Sequence, residues 1–166
     1  MSPLRSQGRR PSPATDRLTR AASAPNGALA ALPDAYVNVV RLGRSVTGRL
    51  DPRLRELVMI RASQLYGCTS CIAMHTRDAL AAGESEQRLH ALAAWPESPL
   101  FTDAERAALA LCEAMTMVAD GAVPADVYDR AAEWFDADEL AALIFAVASI
   151  NAFKPVDEAS IPDRCR

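Results

Sequence analysis

Alanine is the most constraining feature of this sequence, because it fills 33 of the 166 positions while aromatic residues make up only 5%. Alanine is the best helix former, whereas strands draw on β-branched and aromatic residues. The excess therefore predicts tightly packed helices and an all-α fold. A chain of this length has the size of a single compact domain.

Glycine and proline divide the chain into about seven predicted helices, because five of the seven glycines fall at the expected connections. Asp51-Pro52 is typical of an N-cap followed by the first helical residue. Thr102-x-x-Glu105 and Asp136-x-x-Glu139 are typical of capping boxes. The expected helices cover residues 34–46, 52–66, 69–82, 85–94, 103–119, 124–134 and 140–153.

Apolar spacing predicts which helix faces are buried. The fifth helix should bury a stripe that includes Ala108, Leu111 and Val118. The last helix is apolar on nearly every side, which predicts a place in the centre of the bundle or at a subunit contact. Lys154-Pro155 is expected to end it. Its uncharged run of 14 residues is shorter than a membrane span requires, so we expect no membrane segment.

The charge distribution separates a basic tail from an acidic body. Residues 1–25 hold five arginines and one aspartate, so the net charge of −3 leaves −7 for the remainder of the chain. The tail is rich in serine and proline and lacks an apolar segment, which predicts a flexible tail over residues 1–25 and one domain over residues 26–166. The overall charge gives no indication of a nucleic-acid partner.

Cysteine usage points to redox or metal chemistry. The four cysteines are Cys68, Cys71, Cys112 and Cys165, too few for a disulfide scaffold. Without a predicted signal peptide, we expect a cytoplasmic and reducing location. In that setting a close CxxC pair is more often catalytic or metal-binding than a structural crosslink.

The most informative segment is Gly67 to His75, in which CxxC is followed by histidine four residues after the second cysteine. We place the pair at a helix start, where the helix dipole favours a thiolate. The two-residue spacing allows the sulfurs to form and break a disulfide with little backbone movement. Cys71 and His75 are one turn apart, so the imidazole can take or stabilise the cysteine proton.

Zinc is the alternative reading of the same residues. Cys68, Cys71 and His75 could supply three of four ligands, with the fourth drawn from one of four further residues. Those four are Cys112, Cys165, His90 and Glu56. No second CxxC or paired histidine motif is present, which favours redox chemistry without a metal or other bound cofactor.

The segment from Glu56 to His75 reads Glu-x11-Cys-x-x-Cys-x3-His and resembles the active-site signature of a known group of proteins. That group is the alkyl hydroperoxidase D-like (AhpD-like) branch of the carboxymuconolactone decarboxylase family. The resemblance extends over about residues 33–153, including Leu57 to Gln64, Leu89 to Trp95 and Phe101 to Leu109.

This resemblance implies an AhpD-like helical fold assembled as a trimer or hexamer. It also implies a CxxC pair that reduces hydroperoxides or passes electrons to a peroxiredoxin, and that an external dithiol or thioredoxin-like donor reduces again. Carried over by position, Cys71 attacks the peroxide and Cys68 resolves the sulfenic acid. His75 and Glu56 form a proton relay, with Glu56 as the terminal base.

The chain departs from the family pattern at two places. Ser70 stands where the best-known peroxidase members have histidine, and Lys154-Pro155 stands where relatives often have Asn-Arg. The first departure predicts a weaker intrinsic peroxidase activity, and the second predicts different contacts at the final helical turn. Members that decarboxylate a lactone lack the CxxC, so its presence argues against that activity.

Glu56 is the residue whose placement the sequence leaves open. It lies ten residues before Tyr66, about 15 Å along a helix, whereas His75 is only about one turn into the next helix. Simple antiparallel stacking would keep the two apart. Either the helices cross so that the residues meet, or Glu56 pairs with Arg53 on a hydrated surface.

Overall fold

The computed structural model describes residues 32–118 and 121–160, the last seven as backbone only. Within these ranges the chain forms seven α-helices and no strand. They are α1 (Pro33–Ser45), α2 (Pro52–Tyr66), α3 (Thr69–Ala81), α4 (Glu86–Ala91), α5 (Asp103–Thr116), α6 (Ala125–Ala132) and α7 (Ala137–Ser160). A short 3-10 turn at Leu92–Ala94 follows α4. The predicted all-α class is confirmed.

Helix α2 lies at the centre and is buried on nearly all sides. One face packs on a core cluster shared with α5, α6 and α7, in which Val58, Leu143 and Val147 are fully buried. The opposite face packs on a second cluster with α3, α4 and α5, which includes Leu57 and Leu109. Because both clusters hold α2, its polar residues are fixed in position together with its apolar ones.

Local capping signals set the helix boundaries as expected. The Asp51 carboxylate accepts hydrogen bonds from the backbone N–H groups of Arg53 and Leu54, at 2.9 and 3.2 Å. Thr102 and Glu105 form the predicted capping box. The equivalent side-chain bond at the start of α7 runs from the Glu139 N–H to Asp136.

Two expectations about helix ends are wrong. Helix α5 ends at Thr116, so Val118 lies beyond it and is 54% exposed instead of buried. Helix α7 continues past Pro155 to Ser160. Proline removes one backbone hydrogen bond from a helix, and a helix can absorb that loss as a local bend instead of stopping.

The predicted centrality of the last helix is confirmed in part. Leu143 and Val147 of α7 are fully buried, but Phe145 on the same helix is 49% exposed. No helix in the described part of the chain is long and apolar enough to cross a membrane. The predicted tail over residues 1–25 and Cys165 lie outside the described residues.

Candidate active site

The turn between α2 and α3 positions the CxxC pair. Gly67 has a φ of 68°, a left-handed conformation that glycine adopts without steric penalty. The N–H of Cys68 then donates to the carbonyl of Ser63 at 3.0 Å, which closes the end of α2. Cys68 is therefore both the residue after the α2 turn and the N-cap of α3. This places the pair at a helix start, as the sequence predicts.

The two cysteines are joined in a disulfide, with their Cα atoms 5.4 Å apart. Their environments differ. Cys68 is buried, and its sulfur accepts the N–H of Cys71 at 3.4 Å and contacts the Ser70 hydroxyl at 3.4 Å. Cys71 is only half-buried. The helix start and the serine hydroxyl thus contact the sulfur of Cys68, and Cys71 is the more exposed residue of the pair.

Glu56 and His75 meet directly. Nδ1 of His75 lies 2.8 Å from Oε2 of Glu56, and the Glu56 side chain is only 3% exposed. Of the two placements that the sequence leaves open, the helices bring Glu56 and His75 together, and the alternative pairing of Glu56 with Arg53 is wrong. The left-handed turn folds α3 back onto α2, and these two helices make the most extensive helix contact in the described chain. Arg53 pairs instead with Asp51.

The second partner of Glu56 is its neighbour Arg55. Nε of Arg55 donates to Oε1 at 2.9 Å, and a second guanidinium nitrogen contacts the same oxygen. Burial alone would raise the pKa of Glu56, but the hydrogen bond from His75 and the charge and hydrogen bonds of Arg55 outweigh it and hold that pKa below its usual value. Glu56 is consequently a carboxylate at neutral pH.

This ionisation fixes the histidine tautomer. A carboxylate can only accept hydrogen bonds, so the proton between the two side chains sits on Nδ1 of His75. Nε2 is then the ring nitrogen left to accept a proton. His75 and Cys71 lie one turn apart on α3 and line the same cavity. The arrangement can move a proton to or from a group bound beside the cysteine pair.

That cavity has a volume of about 640 Å³. Its floor is formed by α2 and α3, which supply both cysteines, Glu56 and His75. Helices α1 and α7 form the opposite wall, and Gly43 of α1 lies next to Ser149 of α7. A Cβ at that position would lie 3.4 Å from Oγ of Ser149. Tyr36, Val40 and Gly43 of α1 are part of this wall.

Among the candidate zinc ligands that the structure describes, no set of cysteine and histidine atoms is close enough to hold one ion. Cys112 is fully buried in α5, where its sulfur donates to the Val58 carbonyl, and burial raises the pKa of its thiol to about 12. His90 is exposed on α4. In the disulfide form the sulfurs of Cys68 and Cys71 are bonded to each other. Among the described residues, the group with ligand atoms close enough for one ion is Glu56, His75 and Asp78, within 4.8 Å of one another.

Sequence reasoning missed two charged residues close to the Glu56–His75 pair. Arg55 binds Glu56 and also donates to the Thr47 hydroxyl at 3.1 Å. Asp78 follows His75 by three residues on α3, a spacing that places both on one helix face. That spacing, and the position of Arg55 next to a buried carboxylate, are the signals that could have found them.

The fold and this arrangement define a helical protein with a redox-capable cysteine pair beside a Glu-His hydrogen bond. The sequence pattern of the carboxymuconolactone decarboxylase family matches residues 28–114. The chain belongs to this family, as the resemblance at the CxxC segment indicated.

Three relatives illustrate how close these similarities are. The chain is 40% identical over 102 residues to the uncharacterized protein YdfG of Bacillus subtilis, covering 61% of this chain and 69% of that protein. It is 39% identical over 98 residues to the uncharacterized protein YnjA of Escherichia coli, covering 57% of this chain and 53% of that protein.

The third relative is a crystal structure of a protein of unknown function from Agrobacterium tumefaciens, for which a role in antioxidant defence as AhpD has been suggested. It superposes with a TM-score of 0.72 at 31% identity, covering 78% of this chain and 90% of that one. The helical arrangement is therefore shared with an AhpD-like structure.

Proposed function

We propose that this protein is a thiol-dependent antioxidant oxidoreductase that reduces hydroperoxides through Cys68 and Cys71. The observation that carries the proposal is the cysteine pair on the wall of a cavity that also contains the Glu56–His75 hydrogen bond. A thiolate nucleophile with an oriented base beside it is the arrangement that covalent catalysis by cysteine requires.

In the first step the Cys71 thiolate attacks the terminal peroxide oxygen. A sulfur–oxygen bond forms, the oxygen–oxygen bond breaks, and the leaving alkoxide takes a proton from His75 to give an alcohol. Glu56 stabilises the imidazolium that carries this proton, because its carboxylate accepts the Nδ1–H. Cys71 is left as a sulfenic acid.

In the second step the Cys68 thiolate attacks the sulfur of Cys71. The disulfide forms, the sulfur–oxygen bond breaks, and hydroxide leaves with a second proton as water. Two thiols and one hydroperoxide thus give one disulfide, one alcohol and one water. The disulfide in the structure is the oxidised end of this cycle.

An external dithiol supplies the two electrons and two protons that restore the thiols. Its thiolate attacks the sulfur of Cys71, the more exposed residue of the pair, and Cys68 leaves. The N–H of Cys71 and the hydroxyl of Ser70 stabilise the leaving thiolate. A thioredoxin-like protein fits the role of donor, and a peroxiredoxin fits the role of an alternative electron acceptor. A reducing cytoplasm fits this cycle.

Self-association is part of the same proposal. Trp134 of the α6–α7 connection and Phe145 of α7 are half exposed, and large apolar side chains in such positions favour a homo-oligomer, with a trimer or hexamer as the expected state. Sedimentation equilibrium measures the subunit number directly. A monomer at micromolar concentration contradicts this part of the proposal.

The deciding experiment follows the thiols after oxidation. The protein is reduced, treated with one equivalent of an organic hydroperoxide and alkylated, and the tryptic peptide from Ala62 to Arg77 is weighed. We expect a rapid loss of two hydrogens from this peptide, reversed by a dithiol, with one alcohol formed per disulfide. Cys71→Ser should abolish peroxide consumption, whereas Cys68→Ser should stop at the sulfenic acid.

Two alkylated cysteines after peroxide treatment would refute the proposal and favour the alternatives. A structural zinc site on the same residues would be revealed by metal in the purified protein and by loosening of the fold with a chelator. A lactone decarboxylase would keep its activity after both cysteines are blocked.

A further inference from the structure

The cavity is much larger than the peroxide group that reacts in it. Its volume of about 640 Å³ lies within the range of about 300–1,000 Å³ typical of sites for small organic molecules. Hydrogen peroxide is close in size to water, which takes up about 30 Å³ in the liquid. Most of the space must therefore serve a part of the substrate other than the reacting oxygens.

The wall opposite the cysteines is apolar. Tyr36 and Phe153 meet edge to face with ring centroids 5.7 Å apart, and Val40 and Ile150 extend this surface. Tyr36 is 40% exposed although it lines the cavity, so the apolar surface reaches solvent there. A hydrocarbon chain would gain free energy by covering this wall.

Arg44 contributes a cationic group to the same cavity. Its exposed side chain makes no hydrogen bond or ion pair with residues 32–118 or 121–153, whose side chains the structure describes. The other charges in the cavity are paired: Glu56 with Arg55 and His75, and Asp78 with Arg77 at 3.6 Å. A bound anion would therefore find its partner in Arg44, whose planar guanidinium suits a carboxylate.

We propose that the cavity binds an amphiphilic carboxylic acid hydroperoxide, with its carboxylate on Arg44, its hydrocarbon chain along the α1–α7 wall and its peroxide group at Cys71. This inference rests on the proposed function, whose substrate class it names. The carboxylate takes no part in the chemistry. The oxygen–oxygen bond breaks as described above, and the products are a hydroxy acid, water and the Cys68–Cys71 disulfide.

The test compares three hydroperoxides on the reduced full-length protein: a long-chain fatty acid hydroperoxide, its methyl ester and tert-butyl hydroperoxide. All are used below the concentration at which micelles form. We expect the acid to oxidise the cysteine pair about tenfold more efficiently, in kcat/KM, than the ester, as expected for one charge-assisted hydrogen bond. Arg44→Gln should remove this preference and leave the rate with tert-butyl hydroperoxide unchanged.

Arg41→Gln is the matched control. Arg41 is an exposed arginine three residues earlier on α1 and does not line the cavity. This variant has the same loss of charge and should keep the preference for the acid. A preference that disappears equally in both variants would reflect overall charge and would overturn the assignment to Arg44.

A binding measurement separates this inference from the proposed function. Linoleate, which has no peroxide group, is titrated calorimetrically into the disulfide form, and we expect Arg44→Gln to weaken binding about tenfold. Arg44-dependent binding of linoleate without oxidation by any hydroperoxide would refute the peroxidase proposal and support the carboxylate site. Rapid oxidation by tert-butyl hydroperoxide without discrimination between acid and ester would overturn the carboxylate site alone.

Discussion

Replacing Glu56 by glutamine tests the hydrogen bond at the centre of the site. In the native protein the two carboxylate oxygens accept from Arg55 and His75. A glutamine side chain has one oxygen and one NH2 group, so either Arg55 faces a donor or His75 must move its proton to Nε2 and accept from the NH2 group at Nδ1. In both cases a charge-assisted hydrogen bond is lost. The side chain is only 3% exposed, and water therefore cannot replace the lost bond easily.

The expected cost in stability follows from these contacts. A hydrogen bond to a charged group contributes about 1.5–3 kcal/mol, and Arg55 can turn partly to water because its side chain is 27% exposed. We expect Glu56→Gln to lower the free energy of unfolding by about 2 kcal/mol. For a chain of this size that corresponds to a fall in Tm of about 4–8 °C.

The difference between wild type and variant should depend on pH. The pKa of Glu56 is lowered in the folded state, so its stabilising contribution is complete above the unfolded value near 4.5. It is lost as the pH falls below that value and through the folded pKa. Urea unfolding of both proteins at pH 7 and at pH 3 should show a large difference at pH 7 and a smaller one at pH 3.

The kinetic expectation is separate from the stability. Without the carboxylate, His75 loses the partner that fixes its tautomer and stabilises the imidazolium, and disulfide formation should slow by about 10²-fold. Stopped-flow oxidation of the reduced protein measures this rate. Glu105→Gln is the control, because Glu105 is also an ionised partner of an arginine, Arg88, but lies outside the cavity.

The control should lose stability and keep the oxidation rate. An unchanged rate in Glu56→Gln would refute the relay, and a stability difference that is the same at pH 7 and pH 3 would refute the ionised state of Glu56.

Three further changes test the surroundings of the site. Ser70→Ala should slow reduction of the disulfide by a small dithiol twofold to fivefold, because Cys68 loses a donor as it leaves, while oxidation by peroxide stays unchanged. Equal slowing of both half-reactions, measured by stopped flow, would contradict this role. Cys112→Ala should leave both rates unchanged and lower the free energy of unfolding by about 1 kcal/mol. In the native protein Cys112 should resist alkylation, because the pKa of its thiol is raised to about 12. Asp51→Ala removes the N-cap of α2 and should lower the free energy of unfolding by about 1 kcal/mol in urea titration, and a value near zero would show that the cap is dispensable.

Local signals in the sequence predict local structure well in this chain. Asp51, Gly67 and the Thr102–Glu105 box mark helix ends because each satisfies backbone groups within a few residues. Pro155 was expected to end α7, but the helix continues through it. The proline removes one backbone hydrogen bond, and the remaining hydrogen bonds of this long helix are kept. Val118 was expected to be buried because the apolar spacing of α5 continues to this residue, but the helix ends at Thr116.

The periodicity and capping patterns of the sequence do not specify contacts between helices, and only the family resemblance indicated that Glu56 and His75 act together. The meeting of Glu56 with His75 depends on how α3 crosses α2, which hydrophobic periodicity does not specify. The apolar wall likewise depends on how closely α1 approaches α7. The same limit explains why Arg44 was not recognised as a cavity residue.

The reactive groups all lie within one helical hairpin, from Glu56 to His75, whereas much of the opposite cavity wall comes from α1 and α7, at either end of the described chain. Contacts between near neighbours in sequence close small loops and form early in folding. The hairpin can therefore assemble its proton-transfer contact before α1 and α7 meet across it. Since the two parts are separate in sequence, substitutions in the distant helices can change which molecules enter without altering the bond-making groups.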